Sequence, residues 1–124
     1  MNWLIILILI CLPTNAYAQL CPAKEYTNAE ICQAIFLAEG GNKTKYPYGI
    51  RSVTCETKEE CKRVCLNTVR NNRVRFKQYG FKRHKTYLDF LASRYAPTTG
   101  NLRPAEKKLN VNWLSNVRYF LEKI

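Results

Sequence analysis

Residues Ile31-Cys-Gln-Ala-Ile-Phe-Leu-Ala38 form an almost wholly apolar run that ends in one carboxylate, Glu39, and then Gly40-Gly41. Just ahead of the run, Thr27-Asn-Ala-Glu30 has the spacing of a capping box, in which hydroxyl and carboxylate close the first helical turn reciprocally. A helix that is apolar nearly all round has no face suited to water. The run therefore predicts a buried central helix, with its interior at Ile31 to Ala38 and Gly40 as the residue that turns the chain away. Everything else in the chain has to cover it.

The cover is also helical in pattern. Thr57-Lys-Glu-Glu60 is a second capping box. After it, Cys61, Val64, Cys65, Thr68, Asn72, Phe76 and Tyr79 recur at the three-four spacing of one buried face, and Gly80 stops the helix. Thr86 with Asp89 caps a third helix carrying Leu88, Leu91 and Tyr95, ended by Pro97. A short helical turn is expected at Pro104 to Leu109. A last helix from Asn110 or Asn112 would bury Trp113, Val117, Phe120, Leu121 and Ile124. Residues 42–56 read as an irregular loop, within which Ile50 to Thr54 has the makings of a short strand. The fold class is all-α: a small single domain of four or five helices with a buried central helix and an irregular loop after it.

The apolar run Leu4 to Leu12, the polar break Pro13-Thr-Asn15 and the small-x-small Ala16-Tyr17-Ala18 have the form of a secretory signal, which assigns residues 1–18 to a leader and 19–124 to the mature domain. The apolar run is about half the length of a membrane span, so no stable span is expected after cleavage. The formal net charge of +11 falls entirely on the mature part. Nine Lys or Arg and His84 lie between Lys62 and Leu88 without a single acid. Such a block attracts polyanions: nucleic acid, anionic lipid headgroups or cell-wall polymer. A solvated helix face is the plainer reading.

Of six cysteines, Cys11 falls in the leader and five remain. Export permits disulfides, and an odd count leaves a thiol over. Cys21–Cys32 and Cys55 with either Cys61 or Cys65 are reasonable pairs. One His and no Cys-x-x-Cys disfavour a zinc site, so no metal and no cofactor are expected. His84, within Lys82-Arg-His-Lys85, is a poor general base.

Among the nine mature carboxylates, Glu30, Glu60 and Asp89 serve helix starts, Glu56 and Glu59 sit beside one, and Glu122 lies among Lys and Arg. Glu39 differs. It follows an apolar run at the negative end of its helix, and both effects favour its protonated form. A carboxylic acid kept protonated near neutral pH suits glycosidic-bond cleavage. Hydrolytic glycosidases generally use two carboxylates. No second one is evident here, so chemistry at Glu39 would have to run with one, as when a substrate hydroxyl attacks intramolecularly.

Ala34-Ile-Phe-Leu-Ala-Glu39-Gly-Gly-Asn-Lys-Thr-Lys-Tyr-Pro-Tyr-Gly-Ile50 resembles the small exported bacterial proteins of the lysozyme-like, soluble-lytic-transglycosylase type. So do Cys65-Leu-Asn-Thr-Val-Arg-Asn71, Phe90-Leu-Ala-Ser-Arg-Tyr-Ala-Pro97 and Leu109-Asn-x-x-Trp113-x-x-Asn116-Val-x-Tyr-Phe-Leu121. The resemblance implies a lysozyme-like helical fold and a peptidoglycan lytic transglycosylase, periplasmic or secreted, working as a monomer on glycan strands without nucleic acid. It implies Glu39 as the single acid/base. Gly49-Ile50 resembles the glycine-hydrophobe step that lines the family's glycan cleft, and Arg51-Ser52 stands where a Met-Gln continuation is usual. Tyr46, Tyr48 and Tyr95 become candidates for sugar contact. Asn67 and Asn71, at (i, i+4), front either the cleft or solvent. Similar sequences often carry a cysteine at the position of Ala96, which would make Cys65 the unpaired thiol. The rival expectation is a non-catalytic cationic protein of the same shape that binds cell wall or another polyanion.

Overall fold

In a computed structural model, residues 24–51 and 54–124 are described. Four α-helices follow one another: α1 (Asn28–Ala38), α2 (Lys58–Gln78), α3 (Tyr87–Tyr95) and α4 (Pro104–Leu121), with short 3-10 turns at Gly41–Lys43 and Gly80–Lys82. The fold is all-α, and no strand occurs among the described residues. The leader and Cys21 lie outside them. So do Ser52 and Val53, while Ile50, Arg51 and Thr54 are not in a strand.

Each of the first three helices opens on its expected capping box. Thr27, Thr57 and Thr86 accept from the backbone N–H of Glu30, Glu60 and Asp89, and the three carboxylates accept in return from the threonine N–H groups. These bonds satisfy amides that would otherwise lack partners at a helix start. α1 is the central helix, packed chiefly against α4 and α2. Ile31, Cys32, Ala34, Ile35 and Phe36 are buried on it, but Gln33 and Leu37, within the run expected to be buried throughout, are exposed. α2 contributes Cys61, Cys65 and Val69, α3 Phe90 and Leu91, and α4 Trp113, Val117 and Leu121.

Several sequence expectations are corrected. Pro104 to Leu121 is one continuous helix, not a turn followed by a separate helix. Pro104 occupies its first turn, where a missing N–H costs nothing. Asn110 does not cap a new start; its side chain donates to the Pro97 carbonyl at 2.7 Å. Tyr79 and Ile124 are exposed. Each lies at or beyond the end of its helix, where cover is incomplete, and Tyr79 meets Phe90 only edge-on.

The cysteines also depart from expectation. Cys55 and Cys61 form a disulfide that ties the loop to the first turn of α2. Cys65 is free, but Cys32 is free as well, and both are buried. Cys32 therefore carries no disulfide, and its expected partner Cys21 lies outside the described residues. Cys32 faces α2 closely enough for its thiol to interact with that of Cys65.

Arg73, within the acid-free stretch, is not a solvated cation. It bonds the Asn28 side chain at 2.8 Å, the Tyr26 carbonyl at 2.6 Å and Glu25 at 3.1 Å, and lies over the Tyr87 ring at 4.4 Å. It holds the start of α1 against α2.

Candidate active site

Glu39 is the C-cap of α1, and its N–H still donates to the Ile35 carbonyl at 2.9 Å. Gly40 follows at φ +93°, a left-handed conformation that turns the chain sharply out of the helix. The loop then folds back. Gly49 N–H donates to the Tyr46 carbonyl at 2.8 Å, closing a tight turn. The Tyr48 ring is 4% exposed and packs on Phe36 with centroids 5.2 Å apart. Tyr95 O–H donates to the Tyr48 carbonyl, so the loop is pinned to α3 as well as to α1.

This folding-back presses Gly49 against the Glu39 carboxyl. A Cβ at Gly49 would lie 2.6 Å from Oε1, 2.7 Å from Cδ and 3.0 Å from Oε2. With the carboxyl where Trp113 holds it only hydrogen fits there, and the residue also sits at φ +70°. On the other side, Trp113 Nε1–H donates to Glu39 Oε1 at 2.9 Å. The Trp113 ring stacks on Tyr95, with centroids 5.0 Å apart and planes 23° from parallel. The carboxyl is thus fixed by a glycine at one side and an indole N–H at the other.

Burial raises the pKa of Glu39, while the Trp113 hydrogen bond and the nearby Arg51 charge pull it back down. The net shift is upward because removing a carboxylate from water disfavours its charge. Its place at the negative end of α1 acts in the same direction. An indole N–H only donates. A protonated carboxyl accepts best through its carbonyl oxygen, so the Trp113 bond to Oε1 favours the acidic hydrogen on Oε2.

Glu39 opens onto a cavity of about 610 Å³. One wall is the loop, with Lys45, Tyr46, Gly49, Ile50 and Arg51; another is the end of α3, with Arg94 and Tyr95; the third is the approach to α4 and its first half, with Leu102, Glu106, Leu109 and Asn110. The structure thus gathers Tyr46, Gly49, Ile50, Arg51 and Tyr95 around Glu39, from the residues the sequence singled out. Ser52 lies outside the described residues.

Three of the singled-out residues are elsewhere, among them Asn71, which is exposed and does not line the cavity. Tyr48 turns its ring into the core and offers the site only its carbonyl. Asn67 is exposed and accepts a hydrogen bond from Arg70; Thr68, the next residue, lines the cavity instead. One residue step rotates a helix by about 100°, which is enough to exchange the two faces.

Trp113 was legible only as a core residue. The available signal was its N–H, because a buried indole needs an acceptor. Glu106 was also passed over, yet it is the one other carboxylate on the cavity wall. Its Oε1 accepts from the Arg103 guanidinium at 2.7 Å and its Oε2 from the Arg103 N–H at 3.2 Å. The Arg103 side chain and N–H hold its pKa below the usual carboxylate range. The two cavity carboxyls are therefore driven in opposite directions, Glu39 towards the acid and Glu106 towards the anion.

No group of three His, Cys, Asp or Glu side chains gathers among the described residues. The chain matches no protein-family model, and it has no significant match among curated proteins or solved structures.

Proposed function

We propose that the protein is a lytic transglycosylase of exported, lysozyme-like type. It would cleave the β-1,4 bond between N-acetylmuramic acid and N-acetylglucosamine in peptidoglycan. The observation that carries this reading is Glu39: a half-buried carboxyl with a raised pKa, fixed by Trp113 and Gly49, at the wall of a cavity large enough for sugar units.

In this reading Glu39 Oε2–H protonates the glycosidic oxygen as the bond to C1 of the muramoyl unit breaks. The muramoyl 6-hydroxyl oxygen then bonds to C1, and its proton passes to the Glu39 carboxylate. The ring closes as a 1,6-anhydro sugar, no water is consumed and Glu39 ends protonated. A positioned acid of this kind accounts for roughly 10²–10⁴ of rate. Tyr46 presents a 38% exposed ring at the cavity, with Lys45 and Arg51 lying over it at 5.6 and 5.5 Å from its centroid. A sugar stacking on this ring would displace one of these cations from its face. The cations Lys45, Arg51 and Arg94 suit the carboxylates carried by the wall polymer. Both oxygens of Glu106 are engaged by Arg103, so it serves the start of α4, and the reaction is written without it.

Purified sacculi incubated with the protein should release soluble 1,6-anhydro-muropeptides, read by mass spectrometry, and Glu39→Gln should abolish them. Binding to sacculi without product, unchanged in Glu39→Gln, would leave only the cationic wall-binding reading. Products with reducing ends that depend on Glu106 would replace transglycosylation with two-carboxylate hydrolysis.

A further inference from the structure

The acid-free stretch is only partly absorbed by the fold. Arg73 is consumed by its bonds to the start of α1, but the end of α2 and the turn after it are different. Lys77, Lys82, Arg83 and Lys85 are exposed, and none of their side chains makes a hydrogen bond or ion pair among the described residues. Between them project two aromatic rings: Tyr79, 48% exposed, and Phe81, 55% exposed. The Tyr79 ring leans edge-on against Phe90, whereas Phe81 belongs to none of the aromatic pairs among the described residues.

Leu109, Val111 and Tyr119 are more exposed than Phe81; what sets Phe81 apart is its place in sequence among four exposed cations without side-chain partners among the described residues. At a bilayer interface the two features are complementary. Cations meet anionic headgroups, and an aromatic ring reaches the acyl boundary. Duplex nucleic acid would satisfy the cations and leave the Phe81 ring without apolar company.

We propose that the turn Tyr79–Lys85 is a peripheral membrane-binding site for anionic phospholipid. A few cations and two aromatic rings make a superficial, reversible contact, and no helix among the described residues is long and apolar enough to cross a membrane. It is also remote from the cavity. α3 begins at Tyr87, two residues beyond Lys85, and ends at Tyr95 on the cavity wall, so about 12 Å of helix separates them. Contact at this turn is thus made by residues that do not line the cavity. The site does not depend on what Glu39 does.

Sedimentation with vesicles tests it, using one form of the protein, checked by intact mass, throughout. Vesicles of phosphatidylcholine with one quarter phosphatidylglycerol should bind the protein, and pure phosphatidylcholine should not. The double variant Lys82→Gln/Arg83→Gln should weaken partitioning by more than tenfold, at about fivefold per charge. Phe81→Ser should weaken it further at a salt concentration that already screens the cations. Both sites are exposed, so circular dichroism should show the variants folded. Equal binding to both vesicle types would overturn the proposal. So would anionic-vesicle binding that Phe81→Ser leaves intact and duplex DNA abolishes, which would mark the turn as a general polyanion site.

Discussion

Replacing Gly49 by alanine puts a methyl group into the space that the Glu39 carboxyl occupies. Two separate penalties follow. The backbone at φ +70° is left-handed, which costs a residue with a Cβ roughly 1–2 kcal/mol. The new Cβ would start 2.6 Å from Oε1 where ordinary contact begins at 3.4 Å, so the carboxyl must retreat by about 0.8 Å. The 2.9 Å bond from Trp113 tolerates little of that movement before it is lost, at about another 1 kcal/mol. Together these amount to roughly 2–3 kcal/mol, a fall in Tm on the order of 10 °C for a domain of this size. Because misplacing a reacting group by about 1 Å costs on the order of 10²-fold in rate, release of soluble muropeptides should fall by about that factor. Gly49→Asn separates the two penalties. Asparagine accepts left-handed backbone more readily but still carries a Cβ, so it should recover part of the Tm and none of the rate. Gly49→Ala melting within 2–3 °C of the parent and releasing product at a comparable rate would refute the reasoning.

Three further outcomes rest on the same geometry. Trp113→Phe keeps a ring against Tyr95 but removes the N–H that lowers the Glu39 pKa; stability should fall by about 2 kcal/mol, and the alkaline limb of the kcat/KM profile should move to higher pH. An unmoved limb would show that the bond does not tune the acid. For Glu39 itself, a folded pKa above the unfolded value of about 4.3 means that its contribution is intact below that value and is lost as pH rises through the folded pKa. Glu39→Gln should therefore melt higher than the parent at pH 8 and show no such advantage at pH 3.5; an equal difference at both pH values would contradict the burial argument. The Cys55–Cys61 disulfide closes a loop of sequence separation 6, for which chain entropy predicts about 2 kcal/mol. The Cys55→Ser/Cys61→Ser variant should lose that amount in urea unfolding, and no loss would show that the loop is fixed by other contacts, such as Tyr48 on Phe36.

What could be read from the sequence is what is local. The three capping boxes join residues three apart, so their bonds form wherever the helix forms, and Thr27, Thr57 and Thr86 mark their starts without reference to the rest of the chain. The apolar run from Ile31 to Ala38 determined that α1 would be central, because hydrophobic burial leaves such a helix no alternative. Its termination at Glu39 determined that one carboxyl would be carried to the edge of the core, with two direct reasons for a raised pKa.

The surroundings of that carboxyl were decided only by the tertiary structure. Trp113 is 74 residues from Glu39 and reaches it because α4 lies across α1. The choice between Thr68 and Asn67 was a matter of helix rotation, and the inward turn of Tyr48 depended on Phe36 being there to receive it. Asn110 looked like a helix start and became a tether to Pro97, 13 residues away. Periodicity specifies which face of a helix is apolar. It does not specify which neighbour that face meets, and a hydrogen bond between distant residues exists only once the packing has chosen the neighbour.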